Sequence, residues 1–219
     1  MATDELVCRD YSRAERWSDA CIHVTGLVSA LMAVPVLITL AAVWRGDATS
    51  VAAAAIYGTT LTAMILCSAL YHMVRIPTWR GVLRRLDHTA IFLKIAGTYT
   101  PLVLLAGAST LLLTLIWITA VAGSLLKILQ PLRFQWVALA LYLGLGWIGA
   151  LAGDALIGRM STMGLALIFI GGSLYTIGVV FYLWHVLPFH NTIWHGFVLV
   201  ASATFYAAVM VELATAQGV

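Results

Sequence analysis

SALYHMVRIPTWRGVLRRLDHTAIFLKIAGTYTP, Ser68 to Pro101, holds two histidines, an aspartate, a lysine and four arginines in 34 residues. Apolar runs flank its charged centre, Ser50–Val74 before it and His88–Ala106 after it. A run of about 20 apolar residues is long enough to cross a bilayer as a helix, the form that pairs its own backbone polar groups without water. The stretch therefore reads as the end of one membrane helix, a basic loop and the start of the next.

The rest of the chain agrees. Its 219 residues are 62% hydrophobic and 10% charged, against about 45–50% and about 25% in soluble domains. We expect an all-α integral membrane protein, a seven-transmembrane-helix bundle. The spans are Ala20–Trp44, Ser50–Val74, His88–Ala106, Thr110–Leu129, Phe134–Ala152, Thr162–Trp184 and Thr192–Leu213. Turn residues mark the breaks: Arg45-Gly46-Asp47, Pro77, Gly107, Pro131, Gly153-Asp154 and Pro188. The third and fourth spans are separated only by Gly107-Ala108-Ser109. This divides the chain into a polar N-terminal segment 1–19, a membrane domain 20–213 and a short tail 214–219. The polar N-terminus carries no signal-peptide pattern, so the first span is expected to act as the uncleaved signal.

The net charge of +3 reads as topology, with no nucleic-acid partner implied. With the N-terminus inside, nine basic residues face the cytoplasm: Arg9, Arg13, Arg16, Arg75, Arg80, Arg84, Arg85, Lys127 and Arg133. Only Arg45 and Arg159 face outward, and Lys94 lies within a span. The positive-inside rule then sets the N-terminus in the cytoplasm and the C-terminus outside, in a multi-pass protein of the plasma (inner) membrane. Membrane lipids are the expected partners. Cys8, Cys21 and Cys67 form no C-x-x-C spacing and imply no disulfide framework. Gly149-x-x-x-Gly153 permits close helix approach, a common spacing in membrane helices.

This topology collects the polar residues at one end. His23, His72, His88, His185, His190 and His195 all fall on the cytoplasmic side, with Ser68, Asp87 and Lys94 at the same level or deeper. Ser68 and His72 share a helix face, as do Asn191 and His195. Asp87 and Lys94, seven residues apart, share another, separated by about 10 Å of helix rise. Such a set on several helices suits a catalytic zinc, with imidazole ligands, an activated water and a carboxylate to orient it. The same histidines also suit interfacial positions or helix-to-helix hydrogen bonds. Asp87 also reads as a helix cap, and Lys94 as snorkelling or pairing with Asp87. Glu15 and Asp19 read as solvated charges ahead of the first span.

SALYH, RRLDHTAIFLKIAGTYTP and IWHGFVL, with E-x-x-x-D-x-x-x-H-x-x-G from Glu15 to Gly26, resemble the haemolysin III family. That family is the bacterial branch of the progestin and adiponectin receptor superfamily. The resemblance implies a seven-helix bundle with a cytoplasmic N-terminus, related to alkaline ceramidases. It also implies zinc near the cytoplasmic face and a proposed hydrolase activity on lipid amides or esters. It makes His72 and His195 zinc ligands, Ser68 the nearby serine and Asp87 the residue that contacts the zinc-bound water. Two positions depart from the pattern. Asn191 stands where the first histidine of H-x-x-x-H belongs, with His190 one residue before it, so the third ligand is left open between them. Phe205 stands where many relatives place another histidine. Glu15, His23 and Lys94 are accessory polar candidates. Three functions stay open: a zinc-dependent lipid hydrolase, a cytolytic or channel protein, and a lipid sensor with a structural metal.

Overall fold

The computed structural model describes residues 11–131, 133–151 and 156–215. Seven α-helices make up nearly all of it: α1 Arg13–Trp44, α2 Ala48–Met73, α3 Pro77–Leu105, α4 Thr110–Leu129, α5 Gln135–Leu151, α6 Thr162–Leu183 and α7 His190–Thr215. A 3-10 turn, Ile157–Arg159, precedes α6, and no strand occurs among the described residues. Six of the helices are long and apolar enough to cross a membrane, and α5, with 17 residues, is shorter. Residues 1–10 of the polar N-terminal segment, the Gly153-Asp154 break and most of the 214–219 tail lie outside the described residues.

The helix starts differ from expectation in a way that matters for the site. α1 begins at Arg13 rather than Ala20, because Ser12 caps it. Ser12 Oγ accepts from the Glu15 backbone N–H at 3.1 Å, and Glu15 Oε2 accepts from the Ser12 N–H at 2.8 Å. This reciprocal pair satisfies two donors that a helix start would leave bare. Glu15 and Asp19, expected to be solvated, are consequently on the helix and buried. α3 begins at Pro77 rather than His88, since proline suits the first turn of a helix. The basic loop is thus mostly helix, and Asp87 sits inside α3 rather than at its cap. Asp47 caps α2, and its hydrogen bonds to Ser50 hold its carboxyl below the usual carboxylate range. The tight α3–α4 turn is as expected, with Gly107 in the left-handed region at φ 59.

Packing divides the bundle unequally. α1, α2, α3 and α7 share one core around Leu37, Tyr57, Leu61, Leu102 and Val209. α3, α4 and α5 share a second around Phe92, Val103, Ile116, Ala138 and Leu145. α6 packs extensively on α7, whereas α5 touches α6 only lightly. Gly153 of the expected Gly149-x-x-x-Gly153 approach lies outside the described residues, and Gly146 and Gly149 meet the Tyr99 side chain. Tyr99 Oη donates to the Gly146 carbonyl at 2.9 Å and accepts from the Gly149 N–H at 2.9 Å. A Cβ at Gly149 would lie 2.7 Å from the Tyr99 ring, so the tyrosine needs that glycine.

Candidate metal centre and its cavity

Four helix segments meet at one end of the bundle: the start of α1, the end of α2, the first half of α3 and the start of α7. The four-residue spacing of Glu15, Asp19 and His23 places all three on one buried face of α1. Asp19 is the hub. His195 Nδ1 lies 2.6 Å from Asp19 Oδ1, while His23 Nδ1 and His72 Nδ1 each lie 3.7 Å from Asp19 Oδ2. The rings of His23 and His195 are 4.4 Å apart, those of His72 and His195 4.5 Å, and those of His23 and His72 5.4 Å. His23 Nε2 reaches Ser68 Oγ at 3.1 Å. Asp87, buried on α3, interacts with the same Ser68.

This donor set fits a metal ion. Asp19, His23 and His195 present one ligand atom each within 4.8 Å of one another, and His72 stands beside them. Imidazole and carboxylate are ordinary zinc ligands. Without an ion, three imidazoles this close gain little from one another, and a single carboxylate serves all three.

The expected residues are thus partly gathered. His72, His195, Ser68, Asp87 and His23 converge. His190 and Asn191 go elsewhere: Tyr11 Oη lies 3.0 Å from His190 Nε2 and accepts from Asn191 Nδ2 at 3.0 Å. His23, from α1, stands in the cluster with Asp19 and His195. Glu15 accepts from the Phe189 N–H at 3.0 Å and so holds the start of α7 against α1. Lys94 neither snorkels to the bundle end nor pairs with Asp87. It is buried, with Nζ 4.6 Å from the Tyr175 ring centroid and 4.7 Å from that of Phe205.

Asp19 is the residue that sequence reading passed over. The signal for it was present: Ser12-x-x-Glu15 is the capping-box pattern. Reading it would have started α1 early enough to carry Asp19 into the bundle.

The cluster opens into a cavity of about 580 Å³ that runs between α3, α5, α6 and α7. His72, Asp87 and His195 line its polar end, and Leu102, Leu156 and Ile168 its deeper walls. Light contact between α5 and α6 leaves this space unfilled. A second concavity of about 890 Å³ lies on the other side of the cluster, rimmed by Arg13, Arg16, Arg75 and Arg80.

Fold and site together define a multi-pass helical membrane protein with a histidine–aspartate cluster at one end of its bundle. The chain belongs to the haemolysin III family, whose model, described as "Haemolysin-III related", matches residues 12–206. It is 36% identical over 199 residues to "Hemolysin-3 homolog" of Bacillus subtilis, covering 90% of this chain and 93% of that one. "Hemolysin-3" of Bacillus cereus is 36% identical over 192 residues, covering 85% of this chain and 88% of the relative. Human "Monocyte to macrophage differentiation factor" is 31% identical over 163 residues, 70% of this chain and 67% of its own.

Proposed function

We propose that this protein is a metal-dependent hydrolase of membrane-lipid amides or esters, working from the cytoplasmic face of a seven-span bundle. The observation that carries this reading is the junction of a three-histidine, two-carboxylate cluster with a largely apolar cavity of about 580 Å³. Such a space suits an acyl chain whose carbonyl stops at the cluster. The haemolysin names of the Bacillus relatives describe those proteins.

Asp19, His23 and His195, with His72 alongside, would hold a zinc ion. Bound zinc supplies a Lewis acid and brings the pKa of its water near neutrality. The remaining work falls to the chain. The apolar walls exclude bulk water and orient the acyl chain. Asp87 takes a proton from the attacking water and returns it to the leaving amine or alcohol. Ser68, placed between His23 and Asp87, keeps both in register. Asp19 Oδ1 also hydrogen-bonds the His195 Nδ1, which fixes the orientation of that ring.

Purified protein in liposomes, supplied with zinc and with acyl-amide or acyl-ester lipids, is expected to release fatty acid detectable by mass spectrometry. Asp87→Asn should lower the rate about 100-fold or more. No release from any amide or ester, or release indifferent to Asp87→Asn, would overturn the reading.

A further inference from the structure

The function proposed above leaves Lys94 without a task. It is 4% exposed, seven residues deeper on α3 than Asp87, about 10 Å along the helix. No described residue gives its Nζ a carboxylate or a hydrogen bond, and it lies over the faces of Tyr175 and Phe205. A cation held in a membrane bundle is costly and in general faces a partner or a pathway. Two aromatic faces repay part of that cost and leave the charge itself uncompensated. The cavity reaches this point: Lys94, Tyr175, Ser202 and Phe205 all line it. Tyr175 Oη and Ser202 Oγ, 2.8 Å apart, form a small hydroxyl pair on the same cavity lining.

We infer that Lys94 is an anion-recognition site inside the cavity, separate from the histidine cluster, and that its ligand is the carboxylate of a single-chain amphiphile. Charge selects the ligand. Lys94 is one cation at this depth, since the other basic lining residues, Arg84 near the start of α3 and Lys127 in the last turn of α4, belong to the cluster end. A single cation balances a monoanion, whereas a phosphate dianion calls for a second. The surrounding walls are apolar and suit a hydrocarbon chain rather than a hydrated headgroup. A carboxylate bound here also accepts hydrogen bonds from the hydroxyls of that lining, which makes the contact charge-assisted and directional. This inference stands whether or not the cluster hydrolyses anything, because it concerns binding alone.

The test compares laurate with dodecanol, the same chain without the charge. Binding is followed by calorimetry on the full-length protein in neutral detergent, with and without EDTA. The wild type is expected to bind laurate about tenfold more tightly than dodecanol in both conditions. Lys94→Met should bring the two ligands within about twofold while leaving dodecanol affinity unchanged, which reports that the cavity is intact. Lys94→Arg, which keeps the charge, should retain most of the preference. A preference that survives Lys94→Met, or that EDTA abolishes in the wild type, would overturn the inference, the second by placing the carboxylate on a metal at the cluster.

Discussion

Asp19 and Glu212 are buried carboxylates at opposite ends of the bundle, and each organises what surrounds it. Glu212 Oε1, near the end of α7, accepts from the Ser161 N–H at 3.1 Å and from Ser161 Oγ at 2.7 Å. It thereby fixes the residue that caps α6. Glu212→Ala is expected to destabilise the protein by about 1–3 kcal/mol, because it strips the part-buried Ser161 cap of its acceptor. A thermal melt in detergent would show this, and an unchanged midpoint would contradict it. Residues at this scale were unevenly legible. His72, Asp87 and His195 could be picked out by their spacing and by the resemblance they carry. Asp19 was legible only through the Ser12-x-x-Glu15 capping box, because its role depends on a helix that starts there. That His23 joins the cluster while His190 and Asn191 turn toward Tyr11 also exceeds one-dimensional spacing. It requires knowing that α1 and α7 are neighbours and that Tyr11 draws His190 and Asn191 aside.

At the scale of elements, hydropathy located every helix, because a lipid-facing run announces itself by composition. Cores and ends followed different rules. The starts of α1 and α3 lie outside their apolar runs and are set by local chemistry, a capping box in one and Pro77 in the other. Amphipathic ends of this kind hold charges that hydropathy assigns to loops. The glycines of α5 show a similar limit. Gly146 and Gly149 receive the Tyr99 side chain, a partner whose identity depends on the rotation of α3.

The whole molecule sorts its charge by end. Among the described residues, Arg13, Arg16, Arg75, Arg80, Arg84, Arg85, Lys127 and Arg133 gather where the cluster lies, with Arg45 and Arg159 at the opposite end. If α5 spans as the seventh helix, the positive-inside rule predicts the cluster at the cytoplasmic face and the C-terminus outside. Reporter fusions at the C-terminus should give a periplasmic or extracellular signal, and a cytoplasmic signal would contradict seven spans in this orientation. The loose contact of α5 with α6 gives the bundle its cavity, and the four-helix meeting point gives it its cluster. The account rests on that cluster holding a metal. Elemental analysis of the purified protein tests this most directly. About one zinc per chain is expected in the wild type and in His190→Ala, with most of it lost in Asp19→Ala, His23→Ala and His195→Ala. A wild type free of metal after purification in zinc-containing buffer, or zinc that persists in His195→Ala and leaves with His190→Ala, would contradict the account.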